Sequence, residues 1–406
     1  MVPGHARPAR PTRPGVPRHR PVARVADPAY VILVAQPDCC TRGLLHKAEP
    51  GACPAEAYEM VNNVWENVRG HLPAPVLRRG LILGGGGTLG AAWMIGALRA
   101  LEEHTGFDVR ESQLIVGTSA GSILAALLGA GASAEELWQH QRGGTVEQGP
   151  LAGHTFDYDH AGGGAAPPIP IPGIGSPRLI ARSVRHPRRY PGTAVLTAFM
   201  PPGRGSLGDI GKMVEEVIPS GTWSPHPGIR IVAMDYDSGE RVVFGRAGAP
   251  PVGLAEAVVA SCSIPGWFPP ARVGEHRYVD GGAVSVTNLD VIAANELPGG
   301  RPLDEIYVLA PSAARGYDKP TGMLGKIERS YRHRATRQML QEVIRIRKEG
   351  TTVHVLCPGP QDLEALGANL MDPSRRVEVL DTALRTVATS LVSASEFHAE
   401  PAPPVR

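Results

Sequence analysis

Two stretches of the chain share one order: a short apolar run, a glycine-containing turn and then a helical pattern of apolar residues. The first runs from Leu81 to His104 and the second from Leu114 to Leu128. Short apolar runs that end in glycine turns are typical of buried parallel strands, and the 3.6-residue spacing after them predicts helices. The repeated strand–helix order therefore predicts an α/β fold, with a mostly parallel central sheet covered by helices.

Composition excludes several classes of protein. The chain has 406 residues, 42% of them hydrophobic, with 41 basic residues against 39 acidic ones. It is long enough to bury a large core, and the balanced charge does not indicate nucleic-acid binding. No apolar run approaches the roughly 20 residues that span a bilayer. We expect a cytoplasmic protein whose membrane contact, where it occurs, is peripheral.

The cysteines give no sign of a metal site or of a disulfide framework. Their number is odd, their spacing is irregular, and they form no C-x-x-C pair. The five are Cys39, Cys40, Cys53, Cys262 and Cys357. We therefore expect neither a metal nor another cofactor.

Three regions follow from the pattern along the chain. Residues 1–78 form an N-terminal extension whose Pro/Arg-rich start predicts partial disorder. Residues 79–312 hold the strand–helix pattern and are the predicted catalytic domain. Residues 313–406 are predicted to complete the core with a basic helix over 324–348, a strand over 352–356 and a closing helix over 377–391, before a disordered tail.

Within the predicted catalytic domain, residues 142–208 form a long connection rich in glycine, proline and arginine. A connection of this length with little regular pattern is usually functional or mobile. Its apolar side chains would be costly to expose permanently, so it is a candidate lid over an apolar site. These side chains are Ile169, Ile171, Ile174, Leu179 and Ile180. The alternative is an insertion unrelated to catalysis.

The sequence Gly117-Thr118-Ser119-Ala120-Gly121 matches G-x-S-x-G between an apolar strand and an apolar helix. In that context a sharp strand-to-helix turn holds the serine in a strained conformation and exposes its hydroxyl. The helix that follows directs its positive end at the serine oxygen. Ser119 is therefore the candidate nucleophile, and a simple Gly/Ser turn is the less favoured explanation.

The glycine run from Gly84 to Gly90 follows the first predicted strand and has two interpretations. As Gly85-x-Gly87-x-x-Gly90 it matches a dinucleotide fingerprint, which expects an acid at the end of the next strand. Asp108 lies at a similar distance but precedes that strand. The same turn can instead present backbone N–H groups to an oxyanion. The neighbouring Ser119 turn favours this second interpretation.

The third motif is Asp280-Gly281-Gly282, which directly follows the strand-like Tyr278-Val279. Alone, Asp-Gly-Gly indicates only a turn. Its importance comes from its position after the other two motifs.

Together these motifs resemble the patatin-like phospholipase family. The glycine loop, the Ser119 turn and the Asp280 turn all match, and so does Ala260-Ser261-Cys262-Ser263-Ile264-Pro265 with Pro269-Pro270 after it. The resemblance covers roughly residues 81–310. It implies a three-layer α/β/α core, a lipid substrate, and hydrolysis of acyl esters without a cofactor.

The resemblance also implies roles for single residues. Ser119 attacks the ester, Asp280 acts as its base, and the backbone of Gly85, Gly86 and Gly87 binds the oxyanion. The supporting motif positions are Gly90, Gly117, Gly121, Gly281 and Gly282. Many relatives carry Arg or Lys where this chain has Leu89, so a local positive charge is missing.

Three alternatives remain open at this stage, one of which is a nucleotide-binding Rossmann-type protein that uses Gly85 to Gly90. A Ser–Asp–His triad would need a histidine after Asp280, and the chain offers His333, His354 and His398. None has a supporting motif, so solvated or structural imidazoles are favoured. The chain could also be a non-catalytic lipid-binding relative, which the intact Ser119 and Asp280 disfavour.

Overall fold

The computed structural model describes residues 77–158, 164–292, 301–316 and 322–399. Several predictions fall outside these residues: the disordered N-terminal extension, most of the disordered tail, and the thiols Cys39, Cys40 and Cys53. Within the described ranges, no helix is long and apolar enough to cross a membrane.

Eight strands form one sheet. They are β1 (Arg79–Leu83), β2 (Leu114–Thr118), β3 (Ile229–Asp235), β4 (Arg241–Phe244), β5 (Ala271–Val273), β6 (His276–Asp280), β7 (Glu305–Leu309) and β8 (Thr352–Leu356). The order is β5-β6-β3-β2-β1-β7-β8, with β4 paired to β3. The five strands from β3 to β8 in this order are parallel, whereas β4, β5 and β6 pair antiparallel.

The helices lie between these strands or after the last of them in the sequence. They are α1 (Gly87–Thr105), α2 (Ala120–Gly129), α3 (Ala134–Gln141), α4 (Pro177–Arg185), α5 (Gly192–Phe199), α6 (Gly208–Val217), α7 (Leu254–Cys262), α8 (Met323–Arg347), α9 (Pro360–Leu366) and α10 (Arg376–Ala399).

Alternate residues of the central strands face opposite layers. In β1, Leu81 and Leu83 pack into a core with α1, α2, α3, α6, α7, α9 and α10. Ile82 between them packs on the other side against α8. Successive side chains of a strand point to opposite faces, so a fully apolar run requires helices on both. The predicted three-layer α/β/α fold is confirmed.

The C-terminal region is part of this core. β8 pairs with β7, and α10 packs along α1 so closely that a Cβ on Gly96 would lie 2.4 Å from the carbonyl oxygen of Leu380. The predicted strand over 352–356 is β8 itself.

The connection over 142–208 is more regular than its composition predicted. It contains α4 and α5, and Leu179 of α4 is fully buried in a small cluster with β3 and β6 residues. Of the apolar side chains that were expected to avoid exposure, Leu179 is buried. Ile169, Ile171 and Ile174 are exposed, so for them the expectation is wrong. The lid function stays a prediction.

Candidate active site

Ser119 occupies a tight turn between β2 and α2. Its φ of 53° and ψ of −125° lie in a region that non-glycine residues rarely adopt. The flanking glycines make the turn possible, because a Cβ on Gly117 would lie 2.5 Å from the Gly121 oxygen. A Cβ on Gly121 would lie 2.0 Å from the Leu83 oxygen. The motif glycines are therefore required by close backbone contacts.

The strained conformation is held by hydrogen bonds from three elements. The Ser119 N–H donates to Ser261 Oγ at 2.9 Å, and the Ser261 hydroxyl donates to the Val232 carbonyl at 2.6 Å. The Ser122 hydroxyl donates to the Ser119 carbonyl at 2.6 Å. A strained backbone conformation persists only where several contacts from the surrounding structure hold it. Here β3, α7 and α2 all contribute such contacts.

The sheet register brings Asp280 to Ser119. Residues 231–232 of β3 pair with both β2 and β4, and residues 233–234 pair with both β4 and β6. β4 therefore occupies one edge of β3, while β2 and β6 share the other edge end to end. Thr118 ends β2 and Asp280 ends β6, opposite consecutive residues of β3. Ser119 follows Thr118 directly, so the predicted nucleophile and base meet where the two strands meet.

Asp280 is a buried carboxylate with an altered pKa. It is 6% exposed, and burial raises its pKa from 3.8 to about 6. The Ser119 hydroxyl and the Gly282 N–H, which donates to Oδ1 at 2.7 Å, both favour the charged form and limit the rise. A carboxylate with a pKa near 6 is a better proton acceptor than one near 4, yet it is still mostly ionised at neutral pH.

The glycine loop approaches Ser119 from β1, and its amides differ. The Gly85 N–H donates to the Val286 carbonyl at 2.8 Å, so it is already used within the fold. The N–H groups of Gly86 and Gly87 have no acceptor among the described residues. They begin α1, where the helix dipole favours negative charge. Of the three predicted oxyanion donors, Gly86 and Gly87 therefore have N–H groups available for that role, whereas Gly85 does not. The role itself stays a prediction.

A second loop, after β7, supports the glycine loop from behind. A Cβ on Gly86 would lie 2.7 Å from Pro311, which leaves no room for a side chain. The Ser312 hydroxyl donates to the Gly85 carbonyl at 2.7 Å. Arg332 of α8 is fully buried, pairs with Glu328, and donates to the Pro311 carbonyl at 2.6 Å. Sequence analysis did not identify this support, because its residues lie more than 200 positions from the glycines.

Asn288 joins the two halves of the site. Its Nδ2 donates to Thr118 Oγ1 at 3.1 Å, to the Gly281 carbonyl at 3.4 Å and to the Ser285 carbonyl at 2.6 Å. Thr118 precedes Ser119, and Gly281 follows Asp280. The residue has a φ of 48°, which asparagine tolerates better than most side chains do. Asn288 lies only eight residues after Asp280, and this closeness in the sequence could have indicated a role in the site. Sequence analysis did not use it.

The loop that carries Asn288 is held by Glu342 of α8. The buried carboxylate accepts from Ser285 Oγ and Thr287 Oγ1, each at 2.6 Å, and from the Leu289 N–H at 3.1 Å. Burial raises the pKa of Glu342, and the two hydroxyls partly oppose the rise. Sequence analysis predicted that this basic helix helps to complete the core, but did not give Glu342 a role.

An apolar pocket opens beside Ser119. Its polar lining groups are Thr88, Ser119, Gln141 and Tyr158. The apolar lining comprises Ala91, Ile95, Ala120, Ile123, Leu124, Leu127, Leu137, Phe156, Leu207, Ile210, Met213, Cys262, Ile264, Phe268 and Met371. A cleft with the Ser119 side chain at an apolar wall suits a hydrocarbon chain rather than a polar cofactor.

The residues behind the alternative interpretations lie elsewhere. Asp108 precedes β2 and pairs with Arg110, whereas the glycine loop follows β1, so the two lie at opposite ends of parallel strands. His354 lies on β8, three strands from β2, which is about 14 Å at the usual spacing. It stacks on Tyr307. His333 is exposed on α8, and the His398 side chain lies outside the described residues.

Comparison with known proteins now decides the family. A family model described as patatin-like phospholipase matches residues 81–293, just over half of the chain. The chain belongs to the patatin-like phospholipase family. Membership implies lipid acyl hydrolysis in general, with a lipid as the substrate class. Leu89 is fully buried in the core.

Two solved structures are similar. VipD from Legionella pneumophila is 14% identical with a TM-score of 0.39, over 79% of this chain and 67% of its own. The type III effector protein ExoU is 17% identical with a TM-score of 0.29, over 79% of this chain and 54% of its own. The comparison with curated proteins found no match.

Proposed function

We propose that this protein hydrolyses the acyl esters of phospholipids or acylglycerols, with Ser119 as nucleophile and Asp280 as base. The observation that carries the proposal is the position of Ser119: in a strained turn, beside a buried carboxylate, at an apolar pocket. Family membership supports the general reaction, and these contacts support the specific roles. Contact with the membrane is peripheral in this proposal.

The reaction proceeds in two halves. Ser119 Oγ attacks the ester carbonyl carbon while its proton passes to Asp280, and the N–H groups of Gly86 and Gly87 stabilise the oxyanion. The intermediate collapses to an acyl-enzyme, and the departing alcohol takes the proton from Asp280. Water then attacks the acyl-enzyme and gives a proton to Asp280, and Ser119 recovers it as the fatty acid leaves.

The pocket explains the preference for a lipid acyl chain. Hydrocarbon placed against its lining leaves water, which contributes about 0.8 kcal/mol for each buried methylene group. We therefore expect the acyl chain to contribute to selectivity.

The test is a panel of phospholipids, acylglycerols and short p-nitrophenyl esters, assayed with wild type and with Ser119→Ala. Wild type should hydrolyse long-chain esters and react with a fluorophosphonate probe, and Ser119→Ala should do neither while keeping its circular dichroism. Hydrolysis by the variant at the wild-type rate refutes Ser119. A wild type that binds lipid but neither labels nor hydrolyses is a non-catalytic relative.

A further inference from the structure

The later part of the connection between α3 and α6 carries charge of one sign. From 160 to 208 the chain has six arginines and no aspartate or glutamate. Arg189 pairs with Glu240 at 2.6 Å, and Arg178 contacts Asp237 at 3.5 Å. The other four are exposed, and no carboxylate in the described ranges pairs with them: Arg182, Arg185 and Arg188 in and just after α4, and Arg204 after α5.

Three of the six arginines lie on one side of α4. Arg178, Arg182 and Arg185 follow the i, i+4, i+7 spacing of a single helix face. The opposite face buries Leu179 and Ser183. Because no carboxylate in the described ranges pairs with Arg182 or Arg185, their charge is available to a ligand.

The neighbouring helix α5 exposes apolar side chains instead. Leu196 is 65% exposed and Phe199 is 55% exposed, three residues apart on one face, while Ala194 and Ala198 are buried opposite them. Val184 of α4 is also exposed. Large apolar side chains clustered in this way mark an interaction surface more often than ordinary protein surface.

The two helices pack on the same cluster of the core. Leu179, Ala194 and Ala198 all pack into one cluster on the sheet, so both helices turn their other faces outward. We call this outward surface the docking face; it consists of Arg182, Val184, Arg185, Arg188, Leu196 and Phe199.

The docking face adjoins the reaction centre. The Thr193 hydroxyl of α5 donates to the Ala283 carbonyl at 2.7 Å, three residues after Asp280. Beyond α5, the Gly205 N–H donates to the Trp267 carbonyl at 2.9 Å, in the loop whose Ile264 lines the pocket. A surface bound at the docking face would therefore lie near the substrate pocket.

We propose that the docking face binds the enzyme to an anionic membrane surface. Unpaired arginines suit phosphate headgroups, and apolar side chains among them suit the boundary between headgroups and acyl chains. An anionic bilayer supplies both chemistries at once and also holds the substrate. Docking brings the enzyme to its substrate only if the proposed function is correct, whereas binding to the membrane does not depend on that function.

The experiment measures binding to vesicles of phosphatidylcholine, with and without phosphatidylglycerol, by sedimentation. Wild type should bind the anionic vesicles more tightly. Each Arg→Gln change at Arg182, Arg185 and Arg188 should weaken that binding about fivefold, and all three together on the order of 100-fold. Leu196→Ser with Phe199→Ser should weaken binding to both kinds of vesicle.

A matched control comes from α8, where Arg334 and Arg337 are also exposed and have no carboxylate partner in the described ranges. Arg334→Gln with Arg337→Gln should leave vesicle binding within about twofold of wild type, since this pair lies outside the docking face. A loss in this control equal to that of the α4 variant overturns the proposal. So does a wild type that binds neither vesicle.

Two further readouts separate this proposal from the proposed function. Fluorophosphonate labelling of Ser119 and hydrolysis of a soluble short-chain ester should be unchanged in the docking-face variants, and these readouts also show that the variants are folded. Loss of labelling together with vesicle binding would count against a separate docking role. A wild type without hydrolase activity, whose vesicle binding still depends on the docking face, refutes the proposed function alone.

Discussion

Two buried carboxylates in the fold differ in the hydrogen-bond donors that surround them. Asp280 and Glu342 are 6% and 5% exposed, and neither forms an ion pair with a described residue. Burial raises the pKa of both. Glu342 accepts two hydroxyl hydrogen bonds and one from a backbone N–H, which occupy both of its oxygens.

Asp280 has fewer donors. One backbone N–H, from Gly282, donates to Oδ1, and the remaining donor in its surroundings is Ser119 itself. A carboxylate saturated by donors holds a loop in place, whereas one that faces a hydroxyl can accept its proton. The difference lies in the donors, because residue type and burial are almost the same.

The largest expected effect is on the rate, at Asp280. Asp280→Asn keeps the shape of the side chain but cannot accept the Ser119 proton, so kcat/KM should fall by about 10²–10⁴. The measurement is hydrolysis of a short-chain ester under single-turnover conditions. Exposed His333 and His354 serve as controls, and their alanine variants should keep at least about a third of the wild-type rate if the base is Asp280 alone. A histidine variant as inactive as Asp280→Asn would establish a triad.

The second effect is on stability, at Glu342. Glu342→Ala leaves two hydroxyls and one N–H buried without an acceptor, which should lower the free energy of unfolding by about 3 kcal/mol or more. Urea denaturation measures it. Glu342→Gln keeps one carbonyl oxygen and should lose less. If Glu342→Ala is as stable as wild type but loses Ser119 labelling, the contrast between the two carboxylates is wrong.

A third variant tests the residue that connects the two carboxylates. Asn288→Gly keeps the positive φ but removes the amide that joins Thr118 to Gly281, so kcat should fall roughly 10- to 100-fold through misplacement of Ser119 against Asp280. KM should change little, since Asn288 does not line the pocket.

Asn288→Ala adds backbone strain at the same position and should cost additional stability. A kcat within twofold of wild type in Asn288→Gly would show that the sheet register alone positions the two groups.

The smallest effect is the pH dependence. Activity should rise about tenfold per pH unit up to about 6 and then level off, as Asp280 loses its proton. Stability should change in the opposite direction. The folded pKa lies above the unfolded value, so the contribution is fully present below about 4 and is lost as pH rises through about 6.

Asp280→Asn removes this stability term. Wild type should therefore gain stability relative to the variant as pH falls from 7 to 4, by at most about 3 kcal/mol. Thermal unfolding of both proteins across this range measures the difference. A constant difference would mean that the pKa of Asp280 is not raised.

Sequence patterns predicted the elements with strong local signals. The runs at Leu81 and Leu114 became β1 and β2, and the fold class and the family are both confirmed. The roles of Ser119 and Asp280 stay predictions, although the fold brings the two residues together. Elements with weaker signals were missed. The short helices α4 and α5 lie in a region that is rich in proline and glycine, which predicted little regular structure there.

What the sequence determined by itself is local. G-x-S-x-G between an apolar strand and an apolar helix specifies a strained turn at Ser119, since the required glycines and the strand–helix pattern lie within a few residues of it. Only the tertiary structure decided which amides stay free in the glycine loop. It also decided that Asp280 meets Ser119 and that Glu342 supports the loop between them. These outcomes depend on strand register and on burial between segments that lie tens to hundreds of residues apart. The spacing of residues within one segment predicts neither the register nor the burial.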